Sequence, residues 1–516
     1  MNSTPRGILV VDLGAQYAQL IARRVREAQT WCEIAPAGSA LEKARSMNLG
    51  GIILSGGPSS VYDDDAPVVP PELLELGVPV LGICYGMQWM CRELGGVVSK
   101  AESREFGRAE STIDIAEGLY AGFDQETTVW MSHGDEVDRT PDGFRIYSHT
   151  DNCRNVTVGD PERNLWGVQF HPEVSHTPRG KEMLFNFVRE ICQLEGGWKP
   201  ESIVDREVAK IREQVGEEGE VILGLSGGVD SSIAAVILQK AIGDRLHCIF
   251  VDNGLLRKGE REAVETDFGE HFKMDLTVVD AADRFLEKLK GVTDPETKRK
   301  RIGYEFVEVF REEAKRFKHA NFLGQGTLYP DVIESVAVHG GNTAVIKSHH
   351  NVGGLPDDLE LDLVEPLREL FKDEVREIGR FLGVSPVIVD RQPFPGPGLG
   401  VRILGEVTRE DCELLREADK IITDEIEAAG AHKTLWQYFG VLLPIHSVGV
   451  MGDARTYEKA CVLRVVESVD GMTADWASLD DGLLRRISSR VINEVRGINR
   501  LVLDISSKPP STIEWE

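Results

Sequence analysis

Short apolar runs that stop at Gly, Ser, Asp or Cys, each followed by a helix-like stretch, constrain this chain more than any other feature. Gly7–Asp12 (GILVVD), Gly51–Ser55 (GIILS) and Val78–Ile83 (VPVLGI) are short and apolar on both faces, the pattern of strands buried inside a parallel sheet. Strand, tight turn, helix is α/β grammar, in which ligands gather beyond the carboxyl ends of the strands. The pattern restarts at Val221–Ser226 and runs on through Leu246–Val251 and Ala320–Gly324. Between the two series lies Glu195–Pro200 (EGGWKP), read as a linker. A second interruption, Arg391–Gly398 (RQPFPGPG), resists regular structure because proline lacks an N–H and ordering glycine costs entropy. The 516 residues then divide into 1–197, 198–392 and 393–516, in keeping with domains of about 100–200 residues. The expected fold is two α/β domains and a C-terminal α+β domain. This last domain mixes strand-like runs such as Lys459–Val466 with an amphipathic helix over Leu483–Val495. No repeat of 20–50 residues is present.

Hydrophobic residues make up 41% of the chain and charged residues 28%, an ordinary globular balance. No apolar stretch is long enough to span a bilayer, and Met1–Val11 lacks the apolar core of a signal peptide. The expectation is a cytoplasmic protein without a membrane partner. A formal charge of -27 argues against a broad nucleic-acid surface, although local sites can invert the overall sign. The basic run Lys298–Arg301 is such an exception, open to reading as a solvated helix face or as an anion site. The eight cysteines, at 32, 84, 91, 153, 192, 248, 412 and 461, form no C-x-x-C pair. Buried, reduced thiols are expected rather than disulfides or zinc, with one exception.

Gly82-Ile-Cys84-Tyr85-Gly86 follows an apolar strand and opens a helix-like stretch. A G-x-C-x-G turn there is the thiol counterpart of a nucleophile elbow. The glycines permit a sharp turn that keeps Cys84 accessible, and a helix N-terminus favours a reactive thiolate. Gly167–Glu173 (GVQFHPE) is strand-like until Pro172, and sets His171 and Glu173 two residues apart as a base and its orienting carboxylate. Ser55–Pro58 (SGGP) is a glycine turn after a strand. Its backbone N–H at Gly57 can pair with that of Tyr85 as an oxyanion hole. Together the three segments resemble the class I, triad-type glutamine amidotransferases over about residues 7–195. The resemblance implies Cys84 as nucleophile, His171 as general base and acid and Glu173 as its orienter, working through a glutamyl thioester that releases ammonia. Met131–Asp135 (MSHGD) also fits that family. It either positions glutamine, meets the partner domain or is a structural loop.

Ser226-Gly227-Gly228-Val229-Asp230-Ser231-Ser232 lies between a strand and an apolar helix. Two glycines and three hydroxyls at a helix N-terminus make an anion nest, and the absence of a closing lysine excludes a Walker A loop. The segment looks like the pyrophosphate loop of the ATP pyrophosphatases, which implies ATP cleaved at the α-phosphorus. Val251 and Asp252 end the next strand, where adenosine would sit. On a helix Asp331 and Glu334, three residues apart, would share one face; with Asp230 they are candidates near Mg²⁺, Asp230 foremost, the alternative being ordinary exposed acidic residues. Lys347, in KSHHN before two glycines, reads as a phosphate-seeking lid residue, and Asp373 adds charge nearby.

Taken whole, the chain is similar to the GMP synthetase family in Lys298–Lys300, Thr327–Ser335, Ile346–Asn351, Arg391–Gly400, Val448–Asp453 and Ser507–Glu516 (SKPPSTIEWE). The resemblance implies glutamine, ATP and xanthosine 5'-monophosphate (XMP) as substrates, Mg²⁺ with the ATP, no organic prosthetic group and a homodimer through the C-terminal domain. It also implies Lys508 and Thr512 on the substrate phosphate with Arg299 nearby, and Ile513, Glu514 and the 393–398 loop around ribose and base. A terminal motif of this kind is expected to close a chain that is neither truncated nor fused. Two alternatives stay open: another glutamine-fed ATP pyrophosphatase, making NAD or thiolating tRNA, and a nucleotide sensor without catalysis. The acidic balance and missing C-x-x-C weigh against tRNA, the terminal motif against NAD, and the intact motifs against a sensor.

Overall fold

The structure, a computed structural model, describes residues 5–15, 17–64, 66–332, 361–451, 454–468 and 473–516. By density of contacts the chain forms two compact units, 1–203 and 204–516, and the division falls inside the helix Pro200–Val215.

The first unit is built on nine strands: β1 (Gly7–Asp12), β2 (Trp31–Pro36), β3 (Leu49–Leu54), β4 (Val80–Ile83), β5 (Val97–Ile113), β6 (Glu126–Arg139), β7 (Arg145–His149), β8 (Thr157–Asp160) and β9 (Leu165–Val168). Their order is β2-β1-β3-β4-β9-β8-β7-β5-β6. Strands β2, β1, β3, β4 and β9 pair in parallel, and the remainder are antiparallel. The parallel strands are the apolar runs, and β4 is buried at every residue, as strands covered on both faces must be. Helix Ala18–Glu27 covers one face by burying Ala18, Ile21, Ala22 and Val25, the i, i+3, i+4, i+7 stripe of an amphipathic helix. In β6, Thr127, Val129, Met131 and His133 are buried on alternate residues, the period of a half-buried strand. MSHGD is thus part of a strand and not a loop.

The second unit contains a parallel sheet of β10 (Glu220–Gly224), β11 (Leu246–Asp252), β12 (Asp275–Asp280), β13 (Ala320–Gly324) and β14 (Asp362–Val364), in the order β12-β11-β10-β13-β14. Strand order reverses on either side of β10, so the crevice for a ligand opens beyond its carboxyl end. Helix Val229–Ile242 starts there and is buried almost all round, which fixes its N-terminus against the sheet. A second sheet follows: the hairpin β15 (Gln437–Met451) and β16 (Ala454–Glu467), with β17 (Asp475–Trp476) antiparallel and β18 (Ile498–Asp504) parallel to β16. Helices Arg409–Ala428 and Asp481–Glu494 pack with it. The amphipathic stripe Leu483, Ile487, Val491 and Val495 faces this chain's own core. That core is continuous. It runs from Ile222, Ile249 and Phe285 through Leu399 and Ile403 to Ile422, Leu463 and Ile498. The Pro/Gly run beyond Arg391 leads into its middle, where Leu399 and Val401 are completely buried. Among the described residues, no helix is long and apolar enough to cross a membrane.

Candidate active sites

Cys84 stands between β4 and the helix Tyr85–Glu93 with φ +50° and ψ -107°, a region L-residues avoid unless the surroundings impose it. The imposed contacts are visible. A Cβ on Gly82 would lie 2.6 Å from the Met87 nitrogen, and one on Gly86 2.5 Å from the Leu54 carbonyl oxygen. Only glycines let the turn close this tightly. The Cys84 N–H donates to the Val168 carbonyl at 2.7 Å, tying the turn to β9. The thiol is less open than the sequence suggested: Cys84 is only 6% exposed.

β9 leads into His171. Its Nδ1 lies 2.7 Å from Glu173 Oε1, with Glu173 1% exposed. The His171 N–H is held by the Trp130 carbonyl and its carbonyl by Thr177 Oγ1, while Arg24 Nε donates to the Glu173 carbonyl. Burial opposes charge on His171, but hydrogen bonds and charge from Cys84 and Glu173 prevail and raise it to about 10. The proton therefore rests on the imidazole, held between Cys84 and Glu173. The Ser55–Pro58 turn closes the group. A Cβ on Gly56 would touch His171 Cε1 at 3.1 Å and Cys84 Cβ at 3.8 Å, and one on Gly57 the Tyr85 ring at 3.3 Å. A nucleophile, an oriented base and two backbone N–H groups at a turn and a helix start can perform acyl transfer from an amide. Sequence reasoning missed Gln169 and Gln88. The fully buried Gln169 approaches Cys84 Sγ through Nε2 at 3.7 Å. Gln88 donates to Gln169 Oε1 at 3.3 Å and to the Asp135 carbonyl at 2.7 Å. Both stand inside the motifs, so proximity to Cys84 and His171 was the signal.

In the second unit the Ser226–Ser232 loop occupies the crevice beyond β10. Ser231 Oγ accepts from Ser226 N–H at 3.1 Å and meets Ser226 Oγ at 2.8 Å, so the hydroxyls shape the loop. Val229–Ser232 form the first turn of the buried helix. Asp230 approaches Lys372 Nζ at 3.3 Å through Oδ2, while its buried Oδ1 has no hydrogen-bond partner among the described residues. Arg391, at the start of the Pro/Gly run, donates to the Gly227 carbonyl at 2.8 Å and to Glu260 at 2.5 Å. Phe394 in the same run has three guanidiniums over its ring, those of Arg257, Arg402 and Arg391 at 4.4, 5.0 and 5.4 Å. Burial, against the Asp419 charge, lowers Arg257 to about 10. Lys372 and Arg391 thus reach the loop as cations, each paired with a carboxylate, which the sequence order did not reveal.

Other expected residues fall as follows. Val251 is buried at the end of β11, and Asp252 Oδ1 accepts the Gly254 N–H at 3.0 Å. Asp331 Oδ2 accepts the Leu328 N–H at 3.0 Å, a local turn contact. Asp373 is half-buried in the first turn of helix Lys372–Phe381. Glu334 and Lys347 lie outside the described residues. The basic run is divided. Lys298 is wholly buried and bonded to the Ile403 carbonyl at 2.7 Å and to Glu516, Arg299 donates to the Glu516 carbonyl, and Lys300 is exposed. The solvated-face reading therefore fails for Lys298. In the terminal segment Lys508 exchanges backbone bonds with Ala474, Thr512 Oγ1 donates to the Glu514 carbonyl, and the Ile513 carbonyl accepts from Arg464 Nε at 3.4 Å. The Glu514 carboxylate takes both Arg402 nitrogens, at 3.0 and 2.7 Å, and Gln437 Nε2 at 3.0 Å.

Comparison with known proteins divides the chain in the same sequence. Residues 9–191 match the family Glutamine amidotransferase class-I, 203–298 NAD synthase, and 424–515 the GMP synthase C terminal domain. The proteins named GMP synthase [glutamine-hydrolyzing] of Maridesulfovibrio salexigens and Symbiobacterium thermophilum are 55% and 56% identical to it over 511 residues, 99% of each chain. A glutamine amidotransferase structure from Thermotoga maritima aligns with 36% of this chain and 98% of its own, at 16% identity and a TM-score of 0.30. With kinship of this depth over nearly its full length, the chain belongs to the glutamine-hydrolysing GMP synthase family.

Proposed function

We propose that this enzyme aminates XMP to GMP, using ATP, which leaves as AMP and pyrophosphate, and ammonia released from glutamine. One observation carries the amido donor: of eight buried cysteines, only Cys84 takes a positive φ and meets the His171–Glu173 pair. Cys84 Sγ attacks the glutamine amide carbon, the Gly57 and Tyr85 N–H groups receive the developing oxyanion, and His171 protonates departing ammonia. Water, deprotonated by His171, then cleaves the thioester to glutamate.

In the second unit the xanthine O2 attacks the ATP α-phosphorus and pyrophosphate departs into the Ser226–Ser232 loop. Ammonia then adds at C2 and expels AMP. The nest geometry and the cations Lys372 and Arg391 support this placement. Val251 and Asp252 are assigned to the adenosine side, and Asp331, Glu334, Lys347 and Asp373 to the adenylation side and lid. The unpartnered buried Asp230 Oδ1 fits Mg²⁺, a hard cation that takes carboxylate oxygen; bound with ATP it would neutralise phosphate charge. Lys508, Thr512 and Arg299 are assigned to the XMP phosphate, Ile513 and Glu514 to its ribose and base. Domains of 1–197, 198–392 and 393–516, the last two sharing one core, a cytoplasmic location and a homodimer complete the proposal. With the Asp481–Glu494 stripe used internally, support for the dimer shifts to Ile445, Val448, Val450 and Tyr457, which leave 55–73% of their surface exposed on the β15–β16 hairpin. Sedimentation showing only a 57.1 kDa species at micromolar protein would remove the dimer.

The deciding experiment is Cys84→Ala assayed for GMP formation. Glutamine-driven synthesis should vanish while ammonium-driven synthesis above pH 8 persists. Retained glutamine-driven turnover would remove Cys84 as nucleophile.

A further inference from the structure

The MSHGD segment holds a group that the chemistry above does not use. The β5–β6 register sets Glu105 directly opposite His133, and both turn inward, 8% and 4% exposed. Thr150 Oγ1 and Asn152 Nδ2 hold Glu105 Oε1 at 3.0 and 3.2 Å. The other oxygen, Oε2, lies 3.5 Å from His133 Nε2, an ion-pair distance if the ring is protonated, and neither atom has another hydrogen-bond partner among the described residues. His133 Nδ1 faces the Asp135 carbonyl at 3.2 Å. That contact favours the tautomer with its proton on Nδ1, leaving the Nε2 lone pair aimed at a carboxylate oxygen. Two buried acceptors face to face are unfavourable unless something positive lies between them. Cys153, 1% exposed, completes the group: its Sγ, a Glu105 oxygen and a His133 nitrogen all lie within 4.8 Å of one another.

We propose that Glu105 Oε2, His133 Nε2 and Cys153 Sγ form a binding site for a divalent cation of the Zn²⁺ class. Carboxylate, imidazole and thiolate together favour Zn²⁺ over Mg²⁺ or Ca²⁺, which prefer oxygen alone. On binding, the Cys153 thiol gives its proton to solvent as the S–metal bond forms. Thr150, Asn152 and the Asp135 carbonyl orient the ligands from behind. The site adjoins the glutaminase centre. Ser132, next to His133, has its carbonyl 3.8 Å from Cys84 Sγ, and the Asp135 carbonyl accepts from Gln88. A cation on His133 ties this stretch of β6 to β5 and the 150–153 loop beside the nucleophile.

The test uses the full-length protein with Co²⁺ as spectroscopic probe and Zn²⁺ in calorimetry. Wild type should bind one equivalent with a thiolate-to-Co²⁺ charge-transfer band, and Cys84→Ala should keep that band. Cys153→Ser should lose it, and His133→Gln should bind Zn²⁺ at least about tenfold more weakly. Thr150→Val, which spares all three ligands, should also weaken binding about tenfold or more, and guards against a misfolded Cys153 variant. Absence of stoichiometric binding, or a band that follows Cys84 rather than Cys153, overturns the proposal.

Discussion

Replacing Gly86 with Ala adds one methyl group to the turn behind Cys84, and its effect can be worked out from the structure. The new Cβ would stand 2.5 Å from the Leu54 carbonyl oxygen, 2.7 Å from Leu54 Cβ and 2.9 Å from its carbonyl carbon. Ordinary contact begins near ~3.5 Å, so backbone must part by about 1 Å. Two effects oppose each other. Alanine favours the helix by about 1 kcal/mol, while forcing a methyl group into a packed site costs about 1–3 kcal/mol. Crowding wins by about 1 kcal/mol, small against the 5–15 kcal/mol of a typical domain, so the variant folds. Function suffers more, because Leu54 leads directly into the Ser55–Pro58 turn that abuts Cys84 and His171. A displacement of ~1 Å at reacting groups costs on the order of 10²-fold in rate. GMP formation from XMP and Mg-ATP should therefore fall about 10²-fold with glutamine and hold steady with ammonium, with urea unfolding reporting a modest loss of stability. Glutamine-driven turnover within about threefold of wild type would refute the steric account of this turn.

Two further outcomes concern the second unit. Asp230→Asn should depress ammonium-driven synthesis by about 10²–10³-fold, as removal of a preorganised charge does, and near-normal synthesis at saturating ammonium would remove Asp230 from the site. Lys508→Ala should raise the KM for XMP more than that for ATP, because a lysine beside two prolines is held where its charge can be aimed; equal rises in steady-state assays would indicate a folding defect instead.

What could be read from sequence follows a physical division. Gly82–Gly86 and Ser226–Ser232 encode their chemistry in consecutive backbone, so strand, turn and helix start were all legible. Arg391 and Lys372 were not, because they reach Gly227 and Asp230 across 164 and 142 residues, and nothing local marks such a partner. The amphipathic helix near Leu483 was recognised, but periodicity alone does not say whether an apolar stripe faces the chain's own core or another copy. Lys298 shows the same limit for charge. In a run of four basic residues, the buried one differs from its exposed neighbour Lys300 only in which way the helix turns it.

The continuous core of the second unit bears on how such an enzyme can be divided. A break near 392 would strip Ile222, Ile249 and Phe285 of their packing against Ile422 and Leu463, leaving two fragments with an apolar face each and nothing to cover it. A break near 203 severs one helix and leaves the interior of each unit whole. Residues 1–203 therefore keep their own interior when separated at this point. The unit that holds the Ser226–Ser232 loop together with the Lys508–Glu514 segment shares one core and does not divide at 392 without exposing it.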